Sequence, residues 1–250
     1  MQKFDGVCLF FIPLDTQNPL RYSFVPRRLQ LLHGKLYDIS VSLGRESIDF
    51  PGDTPYQRKM VQTLEDGGEC NLSEITMSAH AGTHMDAPAH FVSDGKTIDR
   101  FPVEKFVLSA LVVHVQNKVS IEPGDLEDVN VLPGEAILFK TSNSTEGRIE
   151  NGVFEEDFVY LSEKGADWCL QKGVGLVGID YITIEKYGSK GSPVHRKILG
   201  RGIPILEAVN LKSVPAGKYT LYCFPLKIGG GEGAPVRAVL MRNLKLEIGN

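Results

Sequence analysis

The chain has 250 residues, 42% of them hydrophobic, with 27 basic and 31 acidic groups and a formal charge of −4. That is enough apolar material for a sizeable core. The mild acidity and the lack of a Lys/Arg block argue against a nucleic-acid partner, and no apolar run reaches the ~18 residues that argue for a membrane span.

Residues 1–35 mix the short apolar run Val7–Ile12 with the basic stretch "NPLRYSFVPRRLQLLHGK". They read as an N-terminal extension, either an arm packed on a partner subunit or a poorly ordered segment. "KLYDISVSL" predicts a strand over Leu36–Leu43. "FPGDTP", Phe50–Pro55, is a turn in which Pro fixes φ and Gly permits an unusual one. "CNLSEITMSA" predicts a strand leading straight into a histidine-rich stretch. Buried strands are predicted at Val107–Val115 and Glu135–Thr141, with Pro123 and Gly124 interrupting any regular element between them. "TSNS", Thr141–Ser144, reads equally as a polar pocket rim or a plain loop. A helix is predicted over Ser162–Gly173, capped by Ser162 and opened by a carboxylate, followed by a core strand Val174–Asp180. A second helix starts at Pro193 and exits at Gly200 and Gly202. "IPILEAVNL" returns as a strand, Gly217–Ile228 is a strand pair or a bent strand, and "APVRAVLMRNLKL" closes the chain. "GGGEG", Gly229–Gly233, lacks the Lys-Ser/Thr ending of a phosphate loop and reads as a flexible loop. The pattern is strand-rich, α/β or α+β with mixed sheets, without the repeated βαβ unit of a dinucleotide fold. Four cysteines lack CxxC spacing, and no secretory signal is evident, so the expected location is the cytoplasm.

The chemistry concentrates in "ITMSAHAGTHMDAPAHF", Ile75–Phe91, which holds His80, His84 and His90 out of only six histidines, with Asp86 among them. Gly82, Thr83 and Pro88 oppose a regular helix. In extended chain all four positions are even and would point to one side, and the small residues around them leave room for imidazoles to converge. Imidazole nitrogen and carboxylate oxygen suit zinc, manganese and iron. His195 and Glu207, twelve residues apart, are candidates for a larger site, possibly with two metals. Glu207 interrupts an apolar run, where an unpaired buried carboxylate would be costly. Taken alone, His195 reads equally as a surface helix residue and Glu207 as a strand residue facing solvent. His33 lies in the basic N-terminal segment, and His114 reads as a packed or paired histidine, so neither joins the site.

"HAGTHMDAPAHF" resembles the H-x-G-T-H-x-D-x-P-x-H signature of the cyclase-like metal hydrolases, a family that includes bacterial kynurenine formamidases and isatin hydrolase. The resemblance extends over about residues 36–246, through "YDIS", "FPGDTP", "LVGID", "VHRKILGRGIPILEAVNL" and "PLKIGGGEGAPVRAVL". It implies a swivelling β/β/α-type α/β fold in one domain, taken here as residues 36–250, and homo-oligomers, a homodimer or homotetramer. It implies His80, His84 and Asp86 as ligands of a first divalent metal, Asp86 bridging to a second held also by His195, Glu207 touching both, and His90 as proton donor and acceptor. Zinc is the first choice and manganese the second, with one or two ions. Two positions depart from the family pattern. Phe50 stands where the formamidases carry a substrate-contacting tryptophan, and Glu232 stands where the closing motif has aspartate. Phe50 can still stack on a ring, with a smaller face.

The expected activity is hydrolysis of the C–N bond of a small amide, formamide or lactam by a metal-activated water. One alternative is a metal-dependent cyclase or lyase with His90 as general base. Another is a non-catalytic metal-binding protein, which predicts filled coordination and no pocket beside the ion.

Overall fold

One eight-stranded mixed sheet organises the computed structural model, which describes residues 34–242. In chain order the strands are β1 (Lys35–Asp38), β2 (Gln57–Gln62), β3 (Leu72–Thr76), β4 (His84–Asp86), β5 (Val107–His114), β6 (Ser120–Ile121), β7 (Ala136–Lys140), β8 (Tyr160–Leu161), β9 (Leu176–Ile179), β10 (Ile205–Glu207), β11 (Gly217–Pro225) and β12 (Gly233–Arg242). The α-helices are α1 (Ser142–Thr145), α2 (Glu163–Lys172) and α3 (Pro193–Leu199). The large sheet runs β1-β12-β11-β5-β7-β9-β10-β4, and β4 pairs again with β12. Seven strands therefore close into a ring, with β1 attached to β12. Residues Leu36–Arg242 form one compact unit. This is a mixed-sheet α/β fold of the swivelling β/β/α kind.

The ring follows from the strand sequences. β7 and β9 are apolar on both faces and buried throughout most of their length, as expected for parallel strands covered on both sides. They pair in parallel with each other, with β5 and with β10. Alternate residues from every ring strand, among them Met85, Val112, Leu138, Leu176, Leu206, Leu221 and Leu240, meet in one cluster. The opposite phase, Ile137, Phe139, Val177, Ile179 and Ile205, packs on α2 and α3 through Cys169, Val194 and Ile198. Each such large side chain contributes roughly 1.5–3 kcal/mol on burial. α2 is delimited by Ser162, whose side chain accepts from the Gly165 amide, and by Gly173 in the left-handed conformation.

Several expectations need correction. The strand predicted from "CNLSEITMSA" stops at Thr76 and pairs with β2 in a separate two-stranded sheet. The chain then turns, with Ser78 held to Asp53 and Thr54, before reaching the histidines. The strand predicted to Leu43 ends at Asp38, leaving one isolated bridge from Ser40 to Val209. "TSNS" is neither rim nor loop. Thr141 caps α1, and its amide and hydroxyl, with the Ser144 amide, donate to the buried carboxylate of Asp180. His114 is exposed as the last residue of β5. Residues 1–33, with His33 and most of the proposed extension, and residues 243–250 lie outside the described residues. No helix among the described residues is long and apolar enough to cross a membrane.

Candidate metal centre

β4 lies between β10 and β12 and is antiparallel to both. Met85 enters the ring core, so the period of two sends His84 and Asp86 to the outer face. The register sets Glu207 opposite His84, on that same face. The even-numbered alternation holds only for this short strand. His80 and His90 reach the site through bends at either end. Gly82 turns the chain with φ +60°, and a Cβ there would stand 2.7 Å from Leu43 Cδ2. Pro88 opens the one-turn 3-10 helix that carries His90. Gly233, paired with Asp86, leaves the space that the His80 ring fills, since a Cβ would come within 2.7 Å of His80 Cε1. Thr83 ties the stretch to the segments that follow β10 and β1: its hydroxyl donates to Ala208 O at 2.6 Å and accepts from the Val41 amide at 2.9 Å.

Two groups result that share Asp86. In the first, His80 Nδ1 lies 2.8 Å and His84 Nε2 3.4 Å from Asp86 Oδ1. In the second, His195 Nε2 lies 3.6 Å from Asp86 Oδ2 and 3.3 Å from Glu207 Oε1. Glu207 Oε2 lies 3.2 Å from His84 Nε2 and so joins the groups. Within each group one ligand atom per residue falls within 4.8 Å of the others. His84, Asp86, His195 and Glu207 are buried. The alternative readings of His195 as a surface residue and Glu207 as solvent-facing therefore fail. Asp86 Oδ2 and His80 Nε2 are buried without a hydrogen-bond partner. Such orphaned atoms demand an explanation, and a divalent cation fits the donor set around them.

The electrostatics describe a proton-filled version of the same centre. Burial opposes charge on His84, but the carboxylates of Asp86 and Glu207 outweigh it and raise its pKa to about 10. His195 is likewise raised to about 10: burial is again outweighed, here by Glu185, Glu207 and Asp86. Burial pushes Asp86 up, and the surrounding histidines pull it well below the usual carboxylate range. Glu207 is pushed up by burial and by Asp86, yet the hydrogen bonds of His195 and His84 leave it lowered. His90 differs. Burial dominates and lowers it, with the attraction of Asp86 insufficient to compensate.

The centre opens on a pocket of about 280 Å³ whose lining includes His80, His84, His90, His195, Phe50, Phe91 and Tyr187. The His90 ring stacks on His80 at 4.1 Å between centroids. Phe50 meets Phe154 and Tyr187 edge to face, at 5.5 and 6.2 Å. A pocket beside the ligand set is the opposite of what a purely structural ion site predicts. Sequence reasoning missed Glu185, Phe91 and Tyr187. Glu185 sits in "YITIEKYG" with no spacing signal.

A buried carboxylate shared by two histidine-containing groups, beside an open pocket, fits a metal-dependent hydrolase. The pattern of the Cyclase family matches residues 37–186. Kynurenine formamidase of Bacillus cereus is 36% identical over 203 residues, covering 81% of this chain and 95% of that protein. A predicted metal-dependent hydrolase from Bacillus stearothermophilus superposes with a TM-score of 0.71 at 30% identity, over 83% of this chain and 98% of that one. Isatin hydrolase A from Ralstonia solanacearum shares the fold, with a TM-score of 0.72 at 21% identity over 83% and 91% of the two chains. The chain belongs to the cyclase family of metal-dependent hydrolases.

Proposed function

We propose that the protein hydrolyses the C–N bond of a small aromatic amide, formamide or lactam. The observation that carries this is the convergence of His80, His84, His195 and Glu207 around the buried Asp86, beside a pocket that these four and His90 line. His80, His84 and Asp86 would hold one divalent ion, and Asp86, His195 and Glu207 a second. Zinc best suits the donors, manganese comes next, and the centre takes one or two ions. A bound ion supplies Lewis acidity, polarising the carbonyl and making water more acidic. His90 takes a proton from the attacking water and returns one to the leaving nitrogen. Burial keeps it below the ordinary histidine range, so it stands neutral and ready to accept near pH 7. Phe50, Phe91 and Tyr187 receive the aromatic body of the substrate. The names of the relatives support this class, one a formamidase and the other a hydrolase of the lactam isatin.

The test is turnover by metal-analysed protein of N-formyl aromatic amines, including formylated kynurenine, and of lactams, in ¹⁸O-labelled water. Hydrolysis places solvent oxygen in the acid product. Product formed without solvent oxygen would assign the site to cyclase or lyase chemistry. We further read residues 36–250 as the catalytic domain, with 1–35 its extension, in a cytoplasmic homodimer or homotetramer, which light scattering after size-exclusion chromatography checks.

A further inference from the structure

Glu185 lines the same pocket and touches the candidate centre through His195. It follows β9 in the chain and is 7% exposed. One of its oxygens, Oε2, accepts from three donors: the Val194 amide at 3.0 Å, the His195 amide at 3.3 Å and His195 Nδ1 at 3.3 Å. A carboxylate cannot donate, so the last contact places a proton on Nδ1 and makes Nε2 the nitrogen that can ligate once its own proton is lost. That nitrogen faces Glu207 Oε1 and Asp86 Oδ2. The same oxygen also holds the start of α3, where the chain enters through Ser192 at φ +48°, a left-handed conformation uncommon outside glycine. His84 is oriented differently: its Nδ1 donates to the Gly82 carbonyl at 2.8 Å. The two groups thus have unlike supports, a neutral carbonyl behind His84 and a carboxylate behind His195.

We propose that Glu185 is a positioning residue that fixes the ring angle and the tautomer of His195, so that a bare Nε2 joins Asp86 and Glu207 around a divalent ion. The inference rests on the metal reading above. A carboxylate behind a ligating imidazole also raises its basicity, and loss of such a partner typically costs about 10–100-fold in metal affinity.

The experiment measures Zn²⁺ affinity by chelator competition for the wild type, Glu185→Gln, His195→Ala and the double variant. It adds long-range ¹H–¹⁵N spectra of the histidine rings in the zinc-loaded protein. Glutamine keeps a neutral acceptor for the α3 amides, so Glu185→Gln retains the wild-type circular dichroism while its lost charge weakens the hold on the His195 Nδ1 proton. The expected result is zinc binding weakened by about 10–100-fold in Glu185→Gln. The same change is expected to have less than about a twofold effect in the His195→Ala background, where no ring remains to position. The wild-type spectra show His195 protonated at Nδ1. Unchanged affinity in Glu185→Gln overturns the proposal. So does an undiminished loss in the His195→Ala background, or a proton on Nε2 of His195. If the wild type itself binds no zinc, it is the metal reading that fails, and this inference falls with it.

Discussion

Loading the metal-free protein with a divalent ion should expel protons, and their number can be worked out from the site. Each candidate group contains one histidine raised to about 10, His84 in the first and His195 in the second. Between pH 7 and 9 both carry a proton that a ligating nitrogen must lose. Asp86 and Glu207 are lowered and have none to give. Each ion should therefore release about one proton, and its apparent affinity should climb about tenfold per pH unit until near pH 10. At pH 7.5 the competing proton weakens each group roughly 300-fold relative to the fully deprotonated state. The sign for stability is opposite. A raised histidine contributes stability that is fully present below its unfolded pKa of about 6.5 and is lost as pH rises through about 10. The metal-free fold should thus weaken over the range in which metal binding strengthens. Isothermal titration calorimetry with Zn²⁺ at pH 7.5, in buffers of different ionisation enthalpy, gives the proton count directly. A count of zero would show that His84 and His195 are already neutral and that the carboxylates do not hold them charged.

Replacing His90 by alanine should leave zinc content unchanged and lower kcat by about 10²–10⁴-fold; loss of metal instead would move His90 into the ligand set. In the wild type, kcat/KM should rise with pH through a value below 6.5, the direction in which burial drives His90, and this limb should vanish in the variant. Phe50→Ala should raise KM for aromatic amides by about 3–10-fold, the worth of a ring contact, with kcat changed little; equal losses for aromatic and aliphatic amides would deny it a stacking role. Gly233→Ala puts a carbon 2.7 Å from His80 Cε1, an overpacking that should cost about 1–3 kcal/mol, read by urea denaturation, together with weaker zinc binding.

The side-chain types at this centre were legible in the sequence because metal ligation needs imidazole and carboxylate, and few other uses gather three histidines and an aspartate so closely. Their geometry was only partly legible. Alternation placed His84 and Asp86 together, because those two do lie on a strand. His80 and His90 arrive through the φ of Gly82 and the turn at Pro88, and local pattern cannot say how such bends are directed. The apolar neighbours of Glu207 left burial and solvent exposure equally open. Its position opposite His84 required the pairing of strands far apart in sequence. Glu185 was invisible for a related reason, since its partner is a helix start ten residues on, reached through a loop. Among the elements, the apolar runs of β5, β7 and β9 and the capped α2 were clear. β2, with every residue exposed, offered no hydrophobic period to read.

The three residues of β4 have a consequence for how the chain reaches its working state. Their partner Glu207 stands 123 positions after His84, and Gly233 stands 147 after Asp86. While the polypeptide emerges from the ribosome, both edges of this short segment wait unpaired until nearly the whole domain has been made. Contacts of such long range form slowly, and a bare strand edge invites other chains in the meantime. A cation that binds only the finished arrangement acts as a latch on the last step, pulling the equilibrium toward closure by mass action. Cells short of the ion would then lose this enzyme through aggregation as well as through idle active sites.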